Sequence, residues 1–430
     1  MRWGLITAVG LSVALGSGPV WAQDPDAAGT KAEIELLKER LGKLEDKLAS
    51  QQASAAGADE GSAIVQLPSG LHGVSMSGFV DTSYVYNFQH PGPGTGRTNR
   101  GRVFDVNPGG FTIQAAELVL EKPETDEMPI GFRTDLYFGD DAELIHSTGL
   151  PTLAANTTEA FDLQQAYVTA KAPIGAGLDF KVGKFVTLLG AEVIESPANW
   201  NFSRSYLFGF AIPFTHTGVL ATYPLGDLGS VTAGLVNGWD IVDDNNNAKS
   251  MLGNITLTPV EGLTLAANGI TGAELASDNR NDRSVIDLVA TWQPIEKLTL
   301  MGNYDYGHQS GVTARGTTGT AGFDTGNWQG LALYTKYDLT DTWSLAGRWE
   351  WFDDKNNIRT GLTGQGGATD LLNDIDFYAW TLTSQWKLHE HLLARLEYRH
   401  DTAGEQVFFH GGDGFISYQD TIAAEMVYHF

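Results

Sequence analysis

The chain has 430 residues, with 52 Asp and Glu against 27 Lys and Arg, 51 Gly, 11 Trp, 14 Tyr, 20 Phe and no Cys. The absence of Cys excludes a disulfide framework, a thiolate nucleophile and any Cys-ligated zinc or iron–sulfur site. A formal charge of −25 excludes nucleic acid as a partner, because phosphate binding needs a basic surface. So much glycine disfavours a mainly helical protein and points to an extended, turn-rich one.

Residues 1–22 carry Arg2, an apolar run from Leu5 to Leu15, the breakers Gly16, Gly18 and Pro19, and then Val20-Trp21-Ala22. That pattern reads as a secretory signal, the competing reading being a retained N-terminal anchor. No other stretch reaches the ~20 apolar residues of a membrane helix. Residues 23–52 form a periplasmic segment. Within it, Ile34, Leu37, Leu41, Leu44 and Leu48 alternate three and four apart, the seam of a short coiled coil over residues 31–52. It reads as an oligomerisation stalk; the alternative is a solvated amphipathic helix or peptidoglycan-facing spacer. Residues 53–70, rich in Ala, Gly and Ser, are expected to be a flexible linker.

Residues 71–430 show a different rhythm. Ile130, Phe132, Thr134, Leu136 and Phe138 alternate with Arg133, Asp135 and Tyr137; Trp343, Leu345, Trp349 and Trp351 alternate with Ser344, Arg348 and Glu350. Successive strand residues point to opposite faces, so each segment has one apolar and one polar face. Seven turn-like connections and eight longer polar ones alternate along the chain, which predicts sixteen strands with both ends on the short-turn side. A soluble sandwich has the same alternation within strands but not this asymmetry of connections. The expected fold is all-β: a 16-stranded antiparallel transmembrane β-barrel with a short N-terminal periplasmic coiled-coil helix. Aromatics at strand ends fit two membrane-interface belts: Tyr84, Tyr86, Tyr304, Tyr306, Trp349 and Trp351 on the external side, and Tyr223, Trp292, Trp343, Trp386 and Phe430 on the periplasmic side.

Several segments resemble a known family. Gly183-Lys184-Phe185-Val186-Thr187, Gly190-Ala191-Glu192, Asn199 to Ser205, Pro213-Phe214-Thr215-His216-Thr217-Gly218 and Asn237-Gly238-Trp239-Asp240 are similar to the OmpL-like β-barrel porin-2 family, over roughly Val74 to Phe430. The resemblance implies an outer-membrane porin with the N-terminus in the periplasm, and says little about the solute. The N-terminal heptads are similar to those of other porins whose periplasmic coiled coils accompany trimers, so a homo-oligomer, a trimer, is expected. A terminal aromatic such as Phe430 resembles the signal read by the outer-membrane barrel assembly machinery.

The polar strand faces should line the lumen, placing Arg133, Asp135, Asp179, Lys181, Arg348, Glu350, Arg395, Glu397, Arg399 and Asp401 in water rather than lipid, where a charge costs ~2–4 kcal/mol near the midplane. In porins resembling this one the third external loop, near Phe185–Thr215, folds inward. Glu192, Glu195, Asn199, Asn201 and Arg204 are then the constriction candidates, filtering solutes by charge. The alternative is a loop that caps the exterior or packs between protomers. Asp240, Asp243 and Asp244 make an oxygen-rich loop for which turn chemistry is the default and calcium the weaker reading. No hydrolase elbow, P-loop, dinucleotide fingerprint or HExxH is present, so neither an enzyme nor a cofactor is expected. The sequence reading is passive diffusion of small hydrophilic solutes and ions with a mild cation preference. The alternative is a closed barrel anchoring the outer membrane through its stalk.

Overall fold

The computed structural model describes residues 73–92, 97–150, 160–311, 325–362, 374–412 and 414–430. The expected signal (1–22), the periplasmic segment with its helix (23–52) and the linker (53–70) lie outside the described residues.

Along the chain the strands are β1 (Ser75–Asn87), β2 (Phe111–Lys122), β3 (Ile130–Phe138), β4 (Phe161–Ala172), β5 (Leu178–Val186), β6 (Thr215–Pro224), β7 (Gly229–Val236), β8 (Ser250–Val260) and β9 (Leu263–Ala273). They continue with β10 (Asp282–Ile295), β11 (Leu298–Ser310), β12 (Thr325–Thr340), β13 (Trp343–Asp354), β14 (Ile375–His389), β15 (Leu392–Ala403), β16 (Phe408–His410), β17 (Gly414–Ile416) and β18 (Tyr418–His429). Sixteen of these close one antiparallel barrel, in which each strand pairs with its sequence neighbours and β18 lies between β15 and β1. The other two, β16 and β17, form a small hairpin in the last long connection. A short helix, α1 (Asp140–Ile145), sits in the second long connection.

Closure runs from Phe79↔His429 to Asn87↔Thr421, and Gly78 and Phe430 exchange backbone hydrogen bonds at 3.0 and 3.2 Å. A closed ring satisfies every strand's backbone within the sheet, which an apolar solvent demands. The strand number and the alternation of short and long connections are those the sequence predicts.

The faces follow the period of two. On β15, Arg395, Glu397, Arg399 and Asp401 are buried inward while Leu396 is exposed outward. On β13, Arg348 and Glu350 point in; Trp343 and Trp349 point out. Among the belt aromatics, Tyr306, Tyr223, Trp292, Trp343 and Phe430 are exposed toward strand ends, where amphipathic rings settle at an interface, while Trp349 is exposed in the middle of β13. A bulge between Asp135 and Leu136 opposes Gln165 to Asp135 and Leu163 to Leu136, so Gln164 is an extra residue and both glutamines are buried.

The inner face is not wholly polar. Phe79 on β1, Leu220 on β6, Val236 on β7, Leu252 on β8, Ile270 on β9, Val285 on β10, Phe352 on β13 and Phe377 on β14 join one buried apolar cluster. The same cluster takes in Leu189, Ile194, Tyr206, Leu207, Phe208 and Ile212 of the connection between β5 and β6.

Candidate functional site

The β5–β6 connection, residues 187–214, is the longest between consecutive barrel strands. It leaves one side of the ring and makes polar contacts on the opposite side, since β13 and β14 lie directly across from β5 and β6. Gly190 marks its first turn: φ is +96°, and an added Cβ would stand 2.5 Å from Ile212 Cδ1. Its N–H donates to Asp287 on β10 at 3.1 Å.

Glu192 is the first anchor. It accepts from Arg348 Nη1 on β13 at 2.7 Å and from the Ser205 N–H and hydroxyl at 2.7 and 2.6 Å, tying both limbs of the loop to one wall arginine. Asn199 closes the turn between those limbs, accepting from the Val193 N–H at 2.9 Å and donating to its carbonyl at 2.8 Å. Asn201 donates to Thr383 on β14 at 2.7 Å. The Phe202 and Ser203 amides donate to Glu397 on β15 at 2.7 and 2.9 Å. Arg204 donates to the Phe202 carbonyl at 2.7 Å, and its guanidinium lies 4.6 Å from the ring centre of Phe104 in the first long connection.

The wall groups are tied to one another as well. Glu350 pairs with Arg348 at 3.1 Å and Arg399 at 3.2 Å, and Arg399 with Asp401 at 2.8 Å. Asp401 also pairs with Arg102 of the first connection and accepts from the Tyr206 hydroxyl at 3.0 Å. Arg395 pairs with Glu425 on β18 at 2.9 Å and donates to the Ser196 carbonyl at 3.0 Å. Ionised groups buried this completely are tolerated when they are paired, and each of these has an oppositely charged partner.

On this wall the structure departs from the sequence reading. Arg348, Glu350, Arg395, Glu397, Arg399 and Asp401 point inward as expected but are buried under the loop instead of standing in water, because a segment this long reaches the far wall and covers it. Glu195 lies apart from Glu192: it accepts from Gln164 on β4 at 2.7 Å, and burial raises its carboxyl above the usual range. The remaining candidates occupy the β3–β5 sector. Arg133 pairs with Asp135 at 2.9 Å, Asp179 with Lys171 at 3.8 Å, and Lys181 stands 4.4 Å from the ring centre of Tyr167. Asp179 and Lys171 are half-exposed, and they offer solvated charge.

The Asp240 loop serves turns. Asp240 accepts from the Phe214 and Thr215 amides, both at 2.8 Å, with its carboxyl raised to about 6 by burial. Asp244 accepts from the Asn246 amide at 3.0 Å and pairs with Lys249, while Asp243 packs against Gly149. Among the described residues no three His, Asp or Glu side chains converge to hold a metal ion. Sequence reasoning missed Tyr206, Thr383, Glu425 and Arg102; each acts through partners far along the chain, which periodicity does not reveal. It also missed the Trp239–Arg359–Trp328 stack, with the guanidinium 4.8 and 5.1 Å from the two rings.

A closed sixteen-stranded barrel, lipid-compatible outside and charged inside, is an outer-membrane β-barrel protein. The chain belongs to the family described as putative beta-barrel porin-2, OmpL-like, whose profile matches residues 73–430. It is a porin of the bacterial outer membrane. No curated protein matches it in sequence. Solved structures share the fold at low identity. The outer-membrane channel DcaP of Acinetobacter baumannii superposes with a TM-score of 0.55 at 11% identity, over 83% of this chain and 97% of that one. The trimer form of OmpT from Vibrio cholerae gives 0.51 at 12%, over 83% and 99%. The anion-selective porin from Comamonas acidovorans gives 0.52 at 12%, over 83% and 99%.

Proposed function

We propose that this porin gives small hydrophilic solutes and ions a passive, water-filled route across the outer membrane, narrowed by residues 187–214 and mildly selective for cations. The observation that carries the reading is the pinning of that loop across the ring, through Gly190 to Asp287 on β10 and through Glu192 to Arg348 on β13. A segment fixed to the wall at two separate strands sets the free cross-section, and fixed cross-section with fixed charge is what sorts solutes in a pore. In this reading residues 1–22 direct export, the 31–52 helix stands in the periplasm and assists trimer formation, and Phe430 is read by the assembly machinery. The solved trimer of V. cholerae OmpT makes a trimer the natural assembly to test.

Single-channel recording in planar bilayers under a KCl gradient, with protein lacking residues 1–22, is the test. Stable steps in groups of three with a reversal potential favouring K⁺ support the reading. A second reading is a closed barrel that anchors the membrane through its stalk. It is favoured by the apolar cluster that joins loop residues Ile194, Leu207 and Ile212 to inward side chains of many strands. Silent bilayers containing demonstrably folded barrel move that reading to the front.

A further inference from the structure

One sector of the inner wall contrasts with the paired arginine wall. Eight of the sixteen buried side-chain polar atoms that lack a hydrogen-bond partner among the described residues lie on β1–β4 and on α1, which packs against β2–β4. They are both carboxylate oxygens of Asp81, one each of Glu117, Asp141 and Asp162, the amide oxygens of Gln114 and Gln164, and the Tyr137 hydroxyl. All are oxygens. Glu117 stands directly across from Tyr137 in the β2–β3 register, and Glu425, Asp141 and, with the opposite sign, Arg204 are the neighbouring charges of Asp81. Gln164 spends its N–H on Glu195 of the loop, and Gln114 spends its own on Ser83 at 2.8 Å, so each leaves its acceptor oxygen unused. A buried acceptor without a donor costs on the order of 1–3 kcal/mol, and so many together require something that satisfies them.

The charges here are also unequal. Asp135 has Arg133 at 2.9 Å and Glu425 has Arg395 at 2.9 Å. Asp81, Glu117 and Glu195 have no Lys or Arg at ion-pair distance among the described residues, although Asp81 and Glu117 are buried. Water satisfies orphaned acceptors but not uncompensated charge. A cation does both. The carboxylates are too spread for three of them to enclose a bare metal ion, which selects a hydrated monovalent ion or an ammonium group, whose own hydrogens match surroundings made mostly of acceptors.

We propose that this oxygen-lined sector is a cation station in the lumen, where Asp81 and Glu117 on the wall and Glu195 on the loop hold a monovalent cation, K⁺ or an alkylammonium, during its passage. The inference rests on the porin reading and assigns its cation preference to these residues. The arginine wall under the loop takes no part, because its arginines are already paired with carboxylates.

The test is the reversal potential of the parent and of Asp81→Asn with Glu117→Gln, in KCl and in methylammonium chloride gradients. Heat-modifiable electrophoretic migration reports that each barrel is closed, and the two single variants serve if the double one does not fold. The expected result is a cation-over-anion permeability ratio about threefold or more lower in the variants, in whichever salt the station serves. A conducting variant with the parent's ratio in both salts overturns the station and leaves the porin standing. If the parent itself does not conduct, the porin reading fails. The station is then judged by equilibrium dialysis of the folded barrel in detergent against Rb⁺ and against methylammonium: saturable binding lost in the variants supports it, and equal binding by parent and variants overturns it.

Discussion

Glu192 and Arg348, 156 positions apart in sequence, meet at 2.7 Å inside the barrel, both almost fully buried. The pair joins the loop between β5 and β6 to β13 across the ring, and Glu192 also holds the Ser205 amide and hydroxyl of the loop's returning limb. Removing one member of a buried pair costs about 3–5 kcal/mol, because the other charge remains desolvated. Glu192→Ala leaves Arg348 with Glu350 and strands the Ser205 amide. The expected outcome is a folded barrel with higher single-channel conductance and greater open-channel noise than the parent. Unchanged conductance would show that the loop does not limit passage.

Gly190 sets the first turn of that loop with a positive φ and no room for a side chain beside Ile212. Gly190→Ala adds the left-handed backbone cost of about 1 kcal/mol for a residue with a Cβ, and pushes against Ile212. Its amide bond to Asp287 weakens with the turn. Hydrogen exchange of residues 187–214 is expected to quicken in this variant while that of β13 and β15 stays slow; equal protection across the loop would refute the role given to Gly190.

The sequence made the barrel legible because its rule is local. Ile130, Phe132 and Phe138 against Arg133, Asp135 and Tyr137 already assign both faces of β3, and connection length assigns both ends of the strand. The loop was legible only as a long polar connection with two early glutamates. The resemblance implied that it folds inward, but its partners on the wall were not legible, since Glu192 meets Arg348 and Ser196 meets Glu425 through register and diameter, which appear once the ring closes. Inward apolar residues such as Leu252 and Ile270 carried a signal that period-two reading passed over. On a strand whose other face meets lipid, an apolar side chain pointing inward announces something packed in the lumen.

Leu288 faces outward in the middle of β10 and is 45% exposed, flanked in register by Ala267 and Tyr304. Placing Arg there sets a charge against the hydrocarbon, at a cost of about 2–4 kcal/mol near the midplane. Leu288→Arg is expected to lower folding stability in lipid vesicles by that amount, measured by urea titration of tryptophan fluorescence. A loss near zero would put this position outside the apolar band and shift the membrane boundaries assigned by the aromatic belts.

Asp141 on α1 gives a pH dependence with a definite sign. It is buried, and burial raises its carboxyl to about 8, with Arg204 at 4.0 Å pulling the other way. A carboxyl whose folded pKa exceeds its unfolded value near 4 holds its proton better in the folded state. Its contribution to stability is therefore fully present below about pH 4, fades as pH rises through the window to about 8, and is lost above it. Asp141→Asn keeps the shape without the ionisation. Thermal unfolding of the two proteins is expected to nearly coincide at low pH and to diverge with rising pH, the variant unfolding at the higher temperature above pH 8. A variant no more stable than the parent in alkaline solution would mean that Asp141 ionises in contact with Arg204 at no cost, and that α1 is held by the pair rather than by its buried apolar face.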